Sequence, residues 1–172
     1  MSKLNRLKNR GIARLANALP PFKDYLTASY IPPQSQDIPW TPIKKSLSVA
    51  RIALITTGGL HHLTQKPFSM DEPNGDPTYR IIEPVKIEND YTITHDYYDH
   101  RDAEKDINII LPVTRLSEMV ADNKVGSAAS QHFSFMGHIK NSSIDILLKR
   151  YIPEVIDLLL QDQVDAVLLT PG

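Results

Sequence analysis

Apolar residues along this chain fall into runs of two kinds. Residues 50–56 (Ala-Arg-Ile-Ala-Leu-Ile-Thr) and 164–170 (Val-Asp-Ala-Val-Leu-Leu-Thr) are short, compact and rich in branched side chains, as buried strands are. Residues 106–111 read the same way, with Pro112 closing the strand and Thr114 capping a helix that runs to about Asp122. Residues 79–82 and 91–94 predict two further short strands. The other kind of run has helical spacing. After Asn141, Ser142 or Ser143 as cap, Ile144, Leu147, Leu148, Tyr151, Ile152 and Val155 recur on one helical face. Pro153 sits inside that pattern, so the helix kinks or restarts there. Residues 3–19 predict an amphipathic helix with Ile12, Leu15, Ala16 and Leu19 on one face, ended by Pro20 and Pro21.

Strand, helix and strand in succession imply parallel pairing with right-handed crossovers. The expected fold is therefore a three-layer α/β domain with a mainly parallel sheet over 46–172, preceded by an N-terminal helix and Pro-rich arm over 1–45. Six of the thirteen prolines lie between Pro20 and Pro42, which predicts an extended arm with Trp40 as an anchor. In open α/β sheets, ligands gather beyond the carboxyl ends of the strands. The last predicted strand is followed only by Pro171 and Gly172, so the domain is expected to be incomplete at its carboxyl end.

Composition narrows the function. A length of 172 residues with 41% hydrophobic content suits one core of ordinary size. A net charge of −1 lacks the positive field of a nucleic-acid binder. No apolar run approaches the roughly 20 residues that span a bilayer, and no signal-peptide core is present, so the expectation is a cytoplasmic protein with no membrane partner. Cysteine is absent, which excludes disulfides, thiolate zinc sites and a cysteine nucleophile within these residues. Lys3, Arg6, Lys8, Arg10 and Arg14 precede the first acid, Asp24. Such a helix suits a targeting or membrane-surface segment, or a basic arm that packs on its own domain or on a second subunit; the last is the expected reading.

Candidate chemistry lies in the middle of the chain. Gly58 and Gly59 follow the first core strand, where a backbone can approach a ligand, though they match neither a Walker loop nor a dinucleotide fingerprint. His61 and His62 come next, near the same strand end. The densest group is Thr94-His95-Asp96-Tyr97-Tyr98-Asp99-His100. Its two imidazoles and two carboxylates suit a substrate site, a divalent metal, or a polar loop that satisfies itself. His95 and His100 are five apart and so do not share a helical face as zinc-binding pairs do. His132 and His138 flank the aromatic run Phe133-Ser134-Phe135-Met136 and suit either a core or a site. The turn over 71–77 lacks the ligand pattern of a calcium loop and reads as solvated. No serine has a nucleophile-elbow spacing.

Five stretches taken in order carry a family likeness: 50–59, the Asn74-Gly75-Asp76-Pro77-Thr78-Tyr79-Arg80 turn, 94–100, Asp106-Ile107-Asn108, and Phe133-Ser134-Phe135-Met136-Gly137-His138. Together they resemble the selenoprotein B family of glycine, sarcosine, betaine and D-proline reductases, and in particular its short single-chain bacterial members. The resemblance runs from about residue 20 to the end. It implies that the strand ending Leu169-Thr170-Pro171-Gly172 leads into a catalytic selenocysteine, or a cysteine in some members, followed by a further α/β segment. A UGA codon read as a stop would then account for the ending, and the chain by itself would be silent as a reductase. A selenol ionises at neutral pH, so it would be a ready nucleophile. In the family it attacks a substrate activated on a separate pyruvoyl-bearing subunit and a C–N bond breaks.

The resulting expectation is a selenol- or thiol-dependent reductase component acting on a small molecule. Gly58, Gly59, His61, His62, His95, Asp96, Asp99, His100, His132 and His138 are the pocket candidates. No metal and no cofactor is expected in the chain itself, and the expected partners are a thiol electron donor, a partner reductase subunit or a second copy. The rival readings are a histidine-carboxylate metal hydrolase and a non-catalytic ligand-binding subunit.

Overall fold

The computed structural model describes residues 3–28, 41–84 and 90–171. Strand β1 (Arg51–Thr56) is the axis of the sheet. It pairs in parallel with β5 (Ser127–Ala128), β6 (His132–Phe135) and β7 (Ala166–Thr170). Ile52 pairs with both Ala128 and Ala166, so β5 and β7 lie on opposite edges of β1. β6 then follows β5 along the same edge, and β3 (Tyr79–Ile82) adds antiparallel outside β6. The sheet is mixed and mostly parallel, as the strand–helix–strand pattern implied.

Alternation along β1 sorts its side chains onto two faces. Ile52 and Leu54 join Leu60, Ile93, Leu111, Val113 and Leu116 in the larger core, covered by α3 (Val113–Ala121) and by the antiparallel pair β2 (Leu60–His62) and β4 (Tyr91–Ile93). Ile55 faces the other way and packs with Phe133, Phe135, Val155 and Leu158 under α4 (Ser142–Ile146) and α5 (Ile152–Gln161). The result is an α/β fold with layers on both faces of the sheet.

Pro153 does not break the second helical unit. Between α4 and α5 the backbone opens into a π turn over Leu147–Tyr151, and Pro153 falls in the first turn of α5, where its missing N–H has no partner to lose.

Three expectations are corrected. Residues 106–111 are not a strand but contain a 3-10 turn, Ile107–Ile109. The Asp106 carboxylate accepts the Asn108 N–H, and Asn108 Oδ1 accepts Thr114 N–H, so side chains fold the backbone back on itself. Asn108, not Thr114, therefore caps α3, whose N-cap residue is Pro112. Second, the prolines after Leu19 start a helix, α2 (Pro20–Thr27), instead of an extended segment, because proline is preorganised for a first turn. Third, the predicted apolar face of α1 (Lys3–Ala18) is only partly covered: Ile12 and Ala16 are half-buried, Leu15 and, just past the helix, Leu19 are exposed, and Ala13 is the residue that is buried. Trp40 and the prolines from Pro32 to Pro39 lie outside the described residues, as does Gly172.

Among the described residues no helix is long and apolar enough to cross a membrane.

Candidate functional site

The carboxyl ends of β1 and β7 are fastened together. Thr57 N–H donates to Thr170 O at 3.1 Å, and Thr170 Oγ1 lies 2.5 Å from Ile110 O and 3.2 Å from Ile55 O. The Gly58-Gly59 turn sits directly on this junction. Gly58 N–H donates to Thr56 Oγ1 at 3.1 Å and Gly59 N–H to Phe135 O at 2.9 Å, which ties the turn to β6 as well. Gly59 has φ +72°, and a Cβ there would lie 2.6 Å from Thr94 O. The missing side chain lets the 94–100 segment lie against the turn, with Thr94 N–H donating to Gly59 O at 2.9 Å and Tyr98 Oη–H to Gly58 O at 2.9 Å.

Burial holds the His61 and His95 imidazoles neutral, and their bonds fix which nitrogen carries the proton. His95 Nδ1 accepts Tyr97 N–H at 3.2 Å, leaving its proton on Nε2. Burial, then the nearby His138 and His100, push its pKa down to about 4 against the pull of Asp96. His61 Nδ1 donates to His62 O at 3.0 Å, so its Nε2 accepts from Thr94 Oγ1 at 2.8 Å. Burial lowers its pKa too. His138 stacks on Tyr97 with ring centroids 3.8 Å apart and 19° between planes, and burial lowers its pKa, with Lys140 adding to the effect. His95 and Tyr98 meet edge to face at 4.8 Å, and Tyr98 and His100 at 5.5 Å. His100 Nδ1 lies 2.8 Å from Glu104 Oε1, in an approach not aligned for a hydrogen bond. Burial raises the Tyr97 and Tyr98 pKa values.

Helix α1 closes one side. Arg6 Nε donates to Asp96 Oδ2 at 2.6 Å and Arg10 Nε to Asp96 Oδ1 at 3.0 Å, while the Asp96 side chain is only 2% exposed. A buried carboxylate needs such partners, because leaving it unpaired is costly. Beside it, Asp99 takes bonds from Arg101 Nε and Nη2 at 2.9, 3.1 and 2.6 Å, and this pairing holds its pKa at about 2. A cleft under α1 is lined by Ile12, Ala13, Ala16, Tyr97 and Tyr98.

The structure thus gathers Gly58, Gly59, His61, His95, Asp96, Asp99, His100 and His138 around one contact. Two candidates fall elsewhere. His132 begins β6 and is a core residue: Nδ1 accepts Leu54 N–H at 3.2 Å, and burial lowers its pKa to about 4. His62 ends β2 and turns outward to Thr64 Oγ1 at 2.6 Å, with Asp90 3.8 Å away. Asp76, in the turn read as solvated, is instead buried and accepts from Ser69 N and Thr78 N. Among the described residues no group of three or more His, Asp or Glu side chains is arranged to hold a metal ion. Tyr97, Tyr98, Thr170, Arg6 and Arg10 were not singled out by sequence reasoning. Arg6 and Arg10 are four apart on α1 and so share a face, a spacing that signals a search for one anion.

Comparison with known proteins adds the family. The family described as glycine/sarcosine/betaine reductase selenoprotein B matches residues 5–172. D-proline reductase subunit gamma of Acetoanaerobium sticklandii is 32% identical over 133 residues, which are 77% of this chain and 53% of that protein. Glycine reductase complex component B subunit gamma of Symbiobacterium thermophilum is 27% identical over 150 residues, 84% of this chain and 33% of that protein. The subunit of the same name from Carboxydothermus hydrogenoformans is 29% identical over 119 residues, 62% of this chain and 25% of that protein. This chain thus spans about half the length of the first of these relatives and less of the others. No solved structure matches it significantly.

Proposed function

The chain belongs to the glycine/sarcosine/betaine reductase selenoprotein B family, and from that premise we propose that it forms the substrate-facing part of a selenol- or thiol-dependent reductase component. The observation that supports this reading is the meeting of the β7 end, the Gly58-Gly59 turn and the neutral imidazoles of His95 and His138 at one place. In an open α/β sheet that is where reacting groups stand. The nucleophile is a selenocysteine or cysteine placed just after Gly172 in the whole protein, at the carboxyl end of β7.

The reaction in this reading is reductive cleavage of a C–N bond, as the family resemblance implies, in a small amino-acid-type substrate, a class supported by relatives named as glycine and D-proline reductases. The selenolate or thiolate bonds to the carbon that carries nitrogen; the C–N electron pair and a proton leave with the amine. A thiol donor then takes the chalcogen from carbon, the carbon gains a hydrogen, and the two chalcogens end as an oxidised pair. His95 and His100 line the path and hydrogen-bond the leaving amine. Relatives named as subunits support a partner reductase subunit, which in this reading prepares the substrate.

An in-frame UGA or cysteine codon directly after that of Gly172 is expected in the gene; a UAA stop followed by unrelated sequence would overturn this placement. The direct assay extends the chain through its family's continuation with cysteine at position 173. Thiol-dependent reduction should appear in that form and not in the 172-residue chain. In the extended form, His95→Gln or His100→Gln should lower turnover by about 10²-fold, the usual scale of acid–base groups, with the melting temperature nearly unchanged. Unaltered turnover in folded variants would mark both histidines as structural.

A further inference from the structure

Helix α1 is docked on one side and bare on the other. Arg6, Arg10 and Ala13 succeed one another at helical steps and form its inner row, with both guanidinium groups on Asp96 and Ala13 buried. By the same spacing Leu4, Leu7, Gly11 and Leu15 form the opposite row. There Leu4 is 72% exposed and Leu7 69%, Leu15 is exposed as well, and a Cβ added at Gly11 would meet nothing within 4 Å. Lys8 and Arg14, both exposed, flank this row on its two sides. Residues 1–23 carry Lys3, Arg6, Lys8, Arg10, Arg14 and Lys23 and no acid. An uncovered apolar stripe thus runs between cations along the outer face of α1.

We infer that the outer face of α1 docks on an anionic lipid surface, with Leu4, Leu7 and Leu15 in the apolar boundary and Lys8 and Arg14 at the lipid phosphates. A leucine row set between cations on an otherwise polar helix is the form that lies in the plane of a membrane interface. Lys and Arg beside such a row keep their stems on the apolar surface while their charged ends reach the headgroups. Charge selects this occupant over a second α1, which would bring the same cations against the same face. The row also consists of leucine and glycine, whereas protein interfaces draw most of their affinity from Trp, Tyr and Arg seated in fitted pockets. A fluid apolar layer makes no such demand of shape. The docked Arg6 and Arg10 hold the inner row on Asp96, so lipid contact leaves the 94–100 segment in place. The inference neither uses nor alters the reductase reading.

The test is flotation of the 172-residue chain with vesicles of phosphatidylcholine alone or with roughly one-third phosphatidylglycerol, so that protein aggregates sink and lipid-bound protein rises. The chain should float with the anionic vesicles, and pure phosphatidylcholine should hold it at least about tenfold more weakly. Leu7→Gln and Leu15→Gln should each lower anionic-vesicle binding by about tenfold, and Lys8→Gln and Arg14→Gln by about fivefold, with melting temperatures unchanged because all four side chains are exposed. Leu63→Gln, exposed elsewhere, is the silent control. The chain has no cysteine, so Gly11→Cys takes one polarity-sensitive dye, whose emission should shift to the blue on anionic vesicles only. No flotation of the parent, equal binding to both vesicle types, or parent-like binding by folded Leu7→Gln and Leu15→Gln chains would overturn the inference. So would a stripe whose leucine variants change only the oligomeric state in light scattering, which would make it a protein interface.

Discussion

At Gly59 a single absent Cβ sets how closely the two halves of the site approach. The residue holds φ +72°, and any side chain there would meet Thr94 O and His95 Cβ. Gly59→Ala should therefore push the 94–100 segment off the turn and cost about 2 kcal/mol or more, through both strain and displacement. Urea denaturation measures the loss, and the Tyr98 hydroxyl bond to Gly58 O should weaken with it; a stability within about 0.5 kcal/mol of the parent would contradict this. Histidines show the limit of reading residues singly. His95 and His100 stand out because carboxylates crowd them in sequence. His61 and His62 look alike there, yet β2 alternation buries the first beside Thr94 and turns the second toward Asp90. His132 looks like a site residue and is a core one, because β6 places its ring against the Leu54 N–H.

Elements differ in how far their patterns decide their fate. β1 and β7 were legible as compact apolar runs, and the α4–α5 unit as a 3.6-residue repeat, because burial on a defined face writes itself into spacing. Residues 106–111 misled for a physical reason: an equally apolar run can turn when Asp106 and Asn108 supply competing side-chain bonds. α1 was legible as a helix but not in its orientation, since it docks through Arg6 and Arg10 instead of its leucines. β7 supplies a prediction at this scale. Leu169 is 71% exposed, with Leu168 and Val167 of the same strand exposed beside it. An uncovered apolar strip next to a strand edge templates association. The 172-residue chain should self-associate with concentration in light scattering, and Leu169→Lys should shift it toward monomer with little change in melting temperature. A monodisperse monomeric parent would contradict this.

Over the whole molecule, two buried imidazoles link stability to pH. His95 and His132 are held at about 4 by burial, whereas histidine in an unfolded chain titrates near 6.5. Their folded values are depressed, so the unfolded chain binds these protons first as pH falls. Stability is complete above about pH 6.5 and declines toward pH 4, by up to about 1.4 kcal/mol per pH unit for each group. Asp99, held at about 2 by Arg101, stays ionised throughout this range. Urea midpoints should therefore drop steeply between pH 6.5 and 5, while the His95 and His132 ring signals remain those of neutral imidazole. A flat profile would show that neither ring is buried in solution.

The α/β class, the β1 and β7 core runs, the Gly58-Gly59 turn, the histidine-rich 94–100 segment and the family likeness are all legible in the unfolded chain. Each is a local matter of spacing, turn chemistry or residue order, which a chain carries whether folded or not. Packing alone brings certain histidines into one site and lets α1 clamp Asp96. Those facts depend on contacts between residues as much as 90 positions apart, Arg6 and Asp96 among them. Such contacts are made by packing the layers against one another, and nothing in the local pattern at either end specifies the partner.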